Sequence, residues 1–374
     1  MKTELKVTDY GILFDRQQEG FPASGASCLV KDGRLSLSFQ VASDAAAGIR
    51  PYYSFSDDLG RTWSPPVPFG PALRDEAREF QSVGLAGVTR AGTELAVGCH
   101  VAKGVRTDED LKWRPGSALI GRRPPGARDF EWTVYPPGTF LGEQWVAPGL
   151  MLRSGRICLT IYGARAEGEN WRCGVLLGDD DGLTWRYRQV GYMASPQIRF
   201  NAAVPAGYNE QTLFELPGGA LVSIIRGRER LGDSPTEEDE PLFSRSLSPD
   251  GGETWQGPEL TNLRGTGAST SGLALPDGSL LFCARVPHYA RDNWVRPERA
   301  DLFGLHLARS FDEGRTWQTE RIVQFAPDGQ PFDNYYNAMN GQFVPLAANR
   351  WLYVFGHFDH PRNRHRVLFL ELSW

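Results

Sequence analysis

A chain of 374 residues with a formal net charge of −5 has no general attraction for nucleic acid or for other acidic surfaces. Its 42 glycines and 11% aromatic content suit a β-rich protein with many tight turns. Of the 40 basic residues only those at 2, 6, 31, 103 and 112 are Lys, so an acidic ligand would be met by Arg, the side chain that pairs bidentately with planar carboxylates.

The start, MKTELKVTDYG, contains no apolar run of signal-peptide length, and no segment is long and apolar enough to span a membrane as a helix. The expectation is a cytoplasmic protein with no membrane partner, or a secreted one if a leader has been removed. The first predicted strand, LKVTDYGILF (5–14), is expected to pair beside the C-terminal VLFLELSW (367–374). Between them a strand pair joined by a small turn recurs: CLVKDGRLSLSF, GVTRAGTELAVG, LMLRSGRICLTIY, LFELPGGALVSII, LALPDGSLLFCA and FVPLAANRWLYVF. An octet recurs with it, as SDDLGRTW (56–63), GDDDGLTW (178–185), SPDGGETW (248–255) and SFDEGRTW (310–317).

Each octet reads as a hairpin turn. The Asp carboxylate accepts from nearby backbone N–H groups, the Gly takes a positive φ, and the Trp anchors the turn in apolar surroundings. Nothing in it requires a substrate. Its tryptophans stand at 63, 185, 255 and 317, a spacing of roughly 60 residues with one worn unit between the first two. Trp113 or Trp132 would mark that unit, and the residues after Trp317 make one more. Six units of four short strands describe an all-β, six-bladed propeller of antiparallel blades, one domain over 1–374 with the N-terminal strand closing the ring. Cysteines 28, 99, 158, 173 and 283 have no metal-like spacing, and four lie in apolar strand-like runs, so buried thiols are expected. The acidic stretch GDSPTEEDE (232–240) reads as a solvated loop.

Function is then expected away from the octets, at residues upstream of each DG-type turn. In NEQTLFELPGGALVSIIRGRER (209–230), Glu210 opens one strand and Arg226 ends the next, so a hairpin brings them to the same end. A carboxylate and a guanidinium there either orient an acidic sugar or pair with each other. Asp44, in FQVASDAAAGIRPYYSFSDD (39–58), lies in a small-residue loop that is either ordinary or able to swing over a ligand. Trp145, Trp171 and Trp294 stack on sugars or pack in the core. GHFDHPRNRHR (356–366) holds His357, Asp359 and His360, but a strand puts 357 and 359 on one face and 360 on the other, which argues against a metal triad. No phosphate loop, zinc motif or other cofactor signature is present.

The octet is the Asp box, and with NEQTLFEL…GALVSIIR and APGLMLRSGRICLTIYG it makes the whole chain resemble the sialidase (neuraminidase) superfamily. The resemblance implies a glycoside hydrolase that needs no cofactor and acts on a terminal, possibly acidic, sugar of a carbohydrate or glycoconjugate. By it, Asp44 is the acid/base, Glu210 activates the nucleophile, and Arg226 is one of three arginines that clamp a substrate carboxylate. Arg291 and Arg299 compete for the third clamp position. The first clamp arginine is replaced in FPASGAS (21–27) by Ala23 or Ser24, and ungapped alignment of NGQFVPLAANRWLYVFG (340–356) puts Asn340 where the family has its nucleophilic Tyr. Tyr335 or Tyr336 would have to serve instead. Without the Tyr, Asp44 and Glu210 together suit an acid-and-base hydrolysis of a non-sialic sugar. Two further alternatives are a sugar-binding propeller without catalysis and a protein-binding scaffold.

Overall fold

The computed structural model describes residues 4–23, 25–41, 49–71, 78–102, 116–135, 144–163, 170–192, 207–228, 242–265, 272–286, 303–332, 339–359 and 362–374. Strand Lys6–Phe14 (β1) is followed by five sets of four. The first blade is Gly25–Lys31 (β2), Arg34–Gln40 (β3), Pro51–Ser56 (β4) and Val67–Pro68 (β5). The second is Arg78–Val88 (β6), Glu94–Ala102 (β7), Gly116–Arg123 (β8) and Glu131–Val134 (β9). Gln144–Met151 (β10), Ile157–Gly163 (β11), Arg172–Gly178 (β12) and Arg186–Tyr192 (β13) form the third, and Gly207–Glu215 (β14), Leu221–Arg228 (β15), Leu242–Ser248 (β16) and Gln256–Arg264 (β17) the fourth. Leu273–Ala274 (β18), Leu280–Val286 (β19), Gly304–Ser310 (β20) and Gln318–Val323 (β21) form the fifth. Met339–Ala347 (β22), Arg350–Asp359 (β23) and Arg364–Ser373 (β24) complete the count, and β1 joins them as the outermost strand of the sixth blade.

Five sheets are four-stranded antiparallel meanders in chain order and the sixth runs β22, β23, β24, β1; first strands pack on first strands of neighbouring blades, as β2 does on β6 and on β22. The architecture is therefore the six-bladed propeller expected from the repeat. Ring closure is also as expected, with Tyr10 opposite Leu370 and Ile12 opposite Leu368. The middle strands explain why the apolar runs in the sequence are continuous rather than alternating. Ile157–Gly163 and Leu280–Val286 are buried on both faces because neighbouring blades cover them, whereas the outer strand Gln256–Arg264 is mostly exposed. The cores lie between blades. Phe39 and Leu37 pack with Val354 and Val367 across the first and sixth, and Phe243 and Ile224 pack with Phe282 and Trp317 across the fourth and fifth. All five cysteines are free and buried; burial pushes the Cys158 thiol up to about 12.

The octets join the third and fourth strands of their blades and behave as turn chemistry. In the box at 248–255, Ser248 Oγ donates to Asp250 Oδ1 (2.9 Å) and accepts from Gly252 N (2.8 Å), while the Thr254 amide and hydroxyl donate to Asp250 at 2.8 and 2.6 Å. Trp255 Nε1 closes the turn on Gly252 O at 3.0 Å. The boxes at 56–63 and 310–317 repeat this pattern. Hydrogen bonds from Thr62 and Ser56 hold the Asp58 carboxyl down to about 2. Two successive residues in each turn have positive φ: Leu59 and Gly60, Asp181 and Gly182, Gly251 and Gly252, Glu313 and Gly314. The worn unit ends in Trp132, which lies in β9 and packs on Phe69. Trp113 and the acidic stretch 232–240 lie outside the described residues.

Candidate active site

Antiparallel meanders divide the connections between two ends of the propeller. Turns from first to second strand and from third to fourth share one end, and the boxes are there. Connections from second to third strand and from blade to blade share the other, and that end carries Glu210 and Arg226.

Glu210 does not sit in regular pairing. Tyr208 faces Gly227 and Gln211 faces Ile225, so Asn209 and Glu210 form a bulge in β14. A bulge re-aims side chains at a strand end, and here it brings the Glu210 carboxylate onto Arg226, with Nη1 donating to Oε2 at 2.7 Å. The guanidinium is the buried partner, its side chain 8% exposed against 30% for Glu210. This is a charge-assisted contact whose cation is largely withdrawn from water and whose carboxylate remains accessible. The strand beneath it is pinned, because Gln211 Nε2 donates to Gly174 O of the third blade and Ser223 Oγ donates to Gln211 Oε1 at 2.9 Å. Asn209 is 1% exposed, and its Oδ1 has no hydrogen-bond partner among the described residues.

The fifth blade repeats the Arg226 position. Leu221 faces Ser248 and Leu280 faces Ser310, the first residues of two boxes, and five residues on stand Arg226 and Arg285. Arg285 is 5% exposed and stands near the end of its blade's second strand, the same end as Arg226 in the fourth blade. The signal for it was present in the sequence, since Arg285 follows LALPDGSLLFCA directly and lies as far from its turn glycine as Arg226 does from Gly219. In the third blade the same place is taken by Tyr162, which packs on the buried Trp171 at 5.5 Å.

The structure thus brings Glu210 and Arg226 together. Asp44, Arg291, Arg299, Tyr335, Tyr336, Trp294 and His360 lie outside the described residues, as does Ser24. The Asn340 backbone lies in a bulge of β22 between the Met339–Gly356 and Gln342–Val354 pairs, the counterpart of the Glu210 bulge in β14. Ala23 is 1% exposed in the core between the first and sixth blades, so its position is used for packing. Trp171 belongs to a core cluster. His357 and Asp359 are buried separately: His357 Nδ1 accepts from Arg366 Nε at 3.2 Å, and Asp359 accepts from Arg362 at 2.8 Å. No group of three potential metal ligands occurs among the described residues.

Comparison with known proteins agrees with this architecture. The model of the BNR repeat-like domain family matches residues 136–344, more than half of the chain. The chain belongs to that family. No curated protein sequence matches it significantly. Among solved structures, a Dyadobacter fermentans protein of unknown function is 20% identical, with 99% of each chain covered and a TM-score of 0.68. A Trypanosoma rangeli sialidase in complex with the inhibitor DANA is 12% identical with a TM-score of 0.61; 94% of this chain covers 55% of that one. The α-L-arabinanase of Penicillium chrysogenum, complexed with arabinobiose, is 12% identical over 98% of each chain with a TM-score of 0.63. At these identities the likeness of this BNR-repeat propeller to them is one of fold. No helix among the described residues is long and apolar enough to cross a membrane.

Proposed function

We propose that the protein is a sialidase-like glycoside hydrolase that removes a terminal, acidic sugar at the propeller end occupied by Glu210. The observation that carries this reading is the accessible Glu210 carboxylate on the buried Arg226 guanidinium at 2.7 Å, with Arg285 at the corresponding place of the next blade. Two guanidiniums from adjacent blades suit a substrate carboxylate, since each offers parallel donors matched to a planar acceptor. Glu210 then acts as the base that activates the nucleophile. A base of this kind contributes roughly 10²–10⁴-fold to rate. Asp44 is the proton donor and Tyr336 the nucleophile in this proposal, with Tyr335 as its alternative. Asn340, Arg291 and Arg299 are assigned to the substrate-binding surround. The sialidase and arabinanase among the structural neighbours support a carbohydrate substrate.

The test is fluorophore release from aryl α-sialoside, aryl β-glucuronide and aryl α-arabinoside by the wild type and Glu210→Gln. Turnover of an acidic glycoside that falls at least about 100-fold in the variant supports the reading. Turnover of the neutral arabinoside alone would overturn the acidic specificity, and release from none of the three by folded protein would overturn hydrolysis of these linkages.

A further inference from the structure

Arg34 and Arg156 stand at the same place in two blades. Each immediately precedes the residue that faces the first position of a box, Leu35 opposite Ser56 and Ile157 opposite Gly178. Each clamps the second residue of that box from two nitrogens. Arg34 Nε and Nη2 donate to Asp57 Oδ1 and Oδ2 at 2.7 and 3.1 Å, and Arg156 does the same to Asp179 at 2.7 and 3.2 Å. The difference lies across the blade interface. Arg156 Nη1 also donates to Gly251 O of the next blade's box at 3.0 Å, and its Nη2 lies 3.0 Å from Glu253 Oε1. Arg34 faces the second blade, whose corresponding turn is no Asp box and is closed by Ala127 N on Pro124 O. Among the described residues Arg34 Nη1 makes no hydrogen bond.

The other cations of this interface do find partners. Lys31 Nζ crosses to Gly92 O at 2.8 Å and to Glu94 at 3.2 Å, as its counterpart Arg153 crosses to Leu216 O and Glu215. Arg123 pairs with Glu94 and lies over the Phe130 ring. Beside Arg34 lies a cavity of about 470 Å³, and the larger one beside Arg156, about 760 Å³, is lined by the box residues Asp250 and Gly251 that Arg34 lacks across its interface. The charged lining of the Arg34 cavity balances, with Lys31, Arg34 and Arg123 against Asp32, Asp57 and Glu94. Tyr53 and Phe55 also line it, with the Arg34 guanidinium 4.1 Å over one face of Phe55 and Arg123 5.6 Å over Tyr53, so their remaining faces and edges supply the apolar wall; the Tyr53 hydroxyl is held by Ser36 Oγ at 2.9 Å. The volume is in the range of small-ligand pockets.

We propose that this cavity, between the first and second blades at the box end, binds a small carboxylate-bearing ligand of about monosaccharide size. The ligand's carboxylate takes on Arg34 the place that Gly251 O and Glu253 occupy on Arg156. Its carbon skeleton lies against Tyr53 and Phe55. A carboxylate fits better than a hydroxyl because the two partners it replaces on Arg156 are a carbonyl oxygen and a carboxylate. The site is at the opposite end of the propeller from Glu210 and does not depend on the hydrolase reading.

Isothermal titration of the wild type, Arg34→Gln, Arg156→Gln and Arg226→Gln with glucuronate, succinate and glucose tests it. The Arg34 side chain is 48% exposed, so its replacement is expected to leave the melting temperature unchanged, and thermal melts check this. The expected result is an acid that binds the wild type, weakens by at least about tenfold in Arg34→Gln, and is unaffected by Arg156→Gln and Arg226→Gln. Glucuronate binding without succinate identifies a sugar acid, and binding of both identifies the carboxylate alone as the recognised group. Equal affinity in Arg34→Gln, loss in Arg226→Gln alone, glucose binding as tightly as the acids, or no acid binding at all would each overturn the proposal.

Discussion

The two ends of this propeller use the same residue types for opposite purposes. At the box end carboxylates are consumed locally: burial, the largest single influence on Asp250 and Asp312, raises their pKa values, but the hydrogen bonds from the Ser and Thr of their own turns together outweigh it and hold them below the ordinary value. At the Glu210 end a bulge breaks the pairing and leaves a carboxylate accessible on a buried guanidinium. A carboxylate saturated by its own turn is committed to structure, whereas one supported by a single buried cation can still meet a ligand.

The largest expected effect separates the ends most sharply. Glu210→Gln keeps an acceptor for Arg226 but removes the charge, so glycoside turnover is expected to fall by about 10²–10⁴-fold with little change in melting temperature. Steady-state kinetics beside thermal melts would show it. Next comes pH. Burial first, and the nearby positive charge of Arg366 second, push the His357 pKa down from its ordinary value to about 4; its Nδ1 accepts from Arg366 Nε. The unfolded chain binds this proton more readily, so its contribution is full above pH ~6.5 and is lost as pH falls toward 4, amounting to about 3 kcal/mol. His357→Gln keeps an acceptor and does not titrate; denaturant midpoints between pH 4 and 7 should show a flatter dependence than in the wild type.

Asp250→Ala removes the acceptor of three hydrogen bonds in its box, and about 1–2 kcal/mol of stability should go with it, read from urea melts. Arg285→Gln should raise KM for an acidic glycoside about tenfold while leaving a neutral one unchanged, which would join the fifth blade to the Glu210 end. Leu183→Ser, at an exposed turn position, should change stability by no more than about 0.5 kcal/mol and serves as the baseline.

Much of this architecture was legible because it is local and repeated. The octet encodes its own turn within eight residues, and the Trp spacing counts the blades, including the strand shared between the two termini. The Glu210–Arg226 contact was also legible, since a single hairpin carries both residues. The bulge that aims Glu210 was not, because register shifts depend on the partner strand rather than on composition. Arg285 is marked in the sequence only by its distance from Gly278, which repeats that of Arg226 from Gly219, and Arg291 and Arg299 follow within the next loop with no spacing that sets them apart from it. The contrast between Arg34 and Arg156 depends on what the following blade lacks, and partners as far apart in sequence as Arg156 and Gly251, 95 residues, carry no mutual signal in a single chain.

The most direct test measures Glu210→Gln and Asp250→Ala side by side, for turnover of the best glycoside per folded molecule and for thermal stability. The account predicts that the first loses activity and keeps its melting temperature, while the second loses melting temperature and keeps activity. If Asp250→Ala abolished turnover in folded protein, or if Glu210→Gln retained it, the division between box carboxylates that build turns and a Glu210 carboxylate that does chemistry would be wrong.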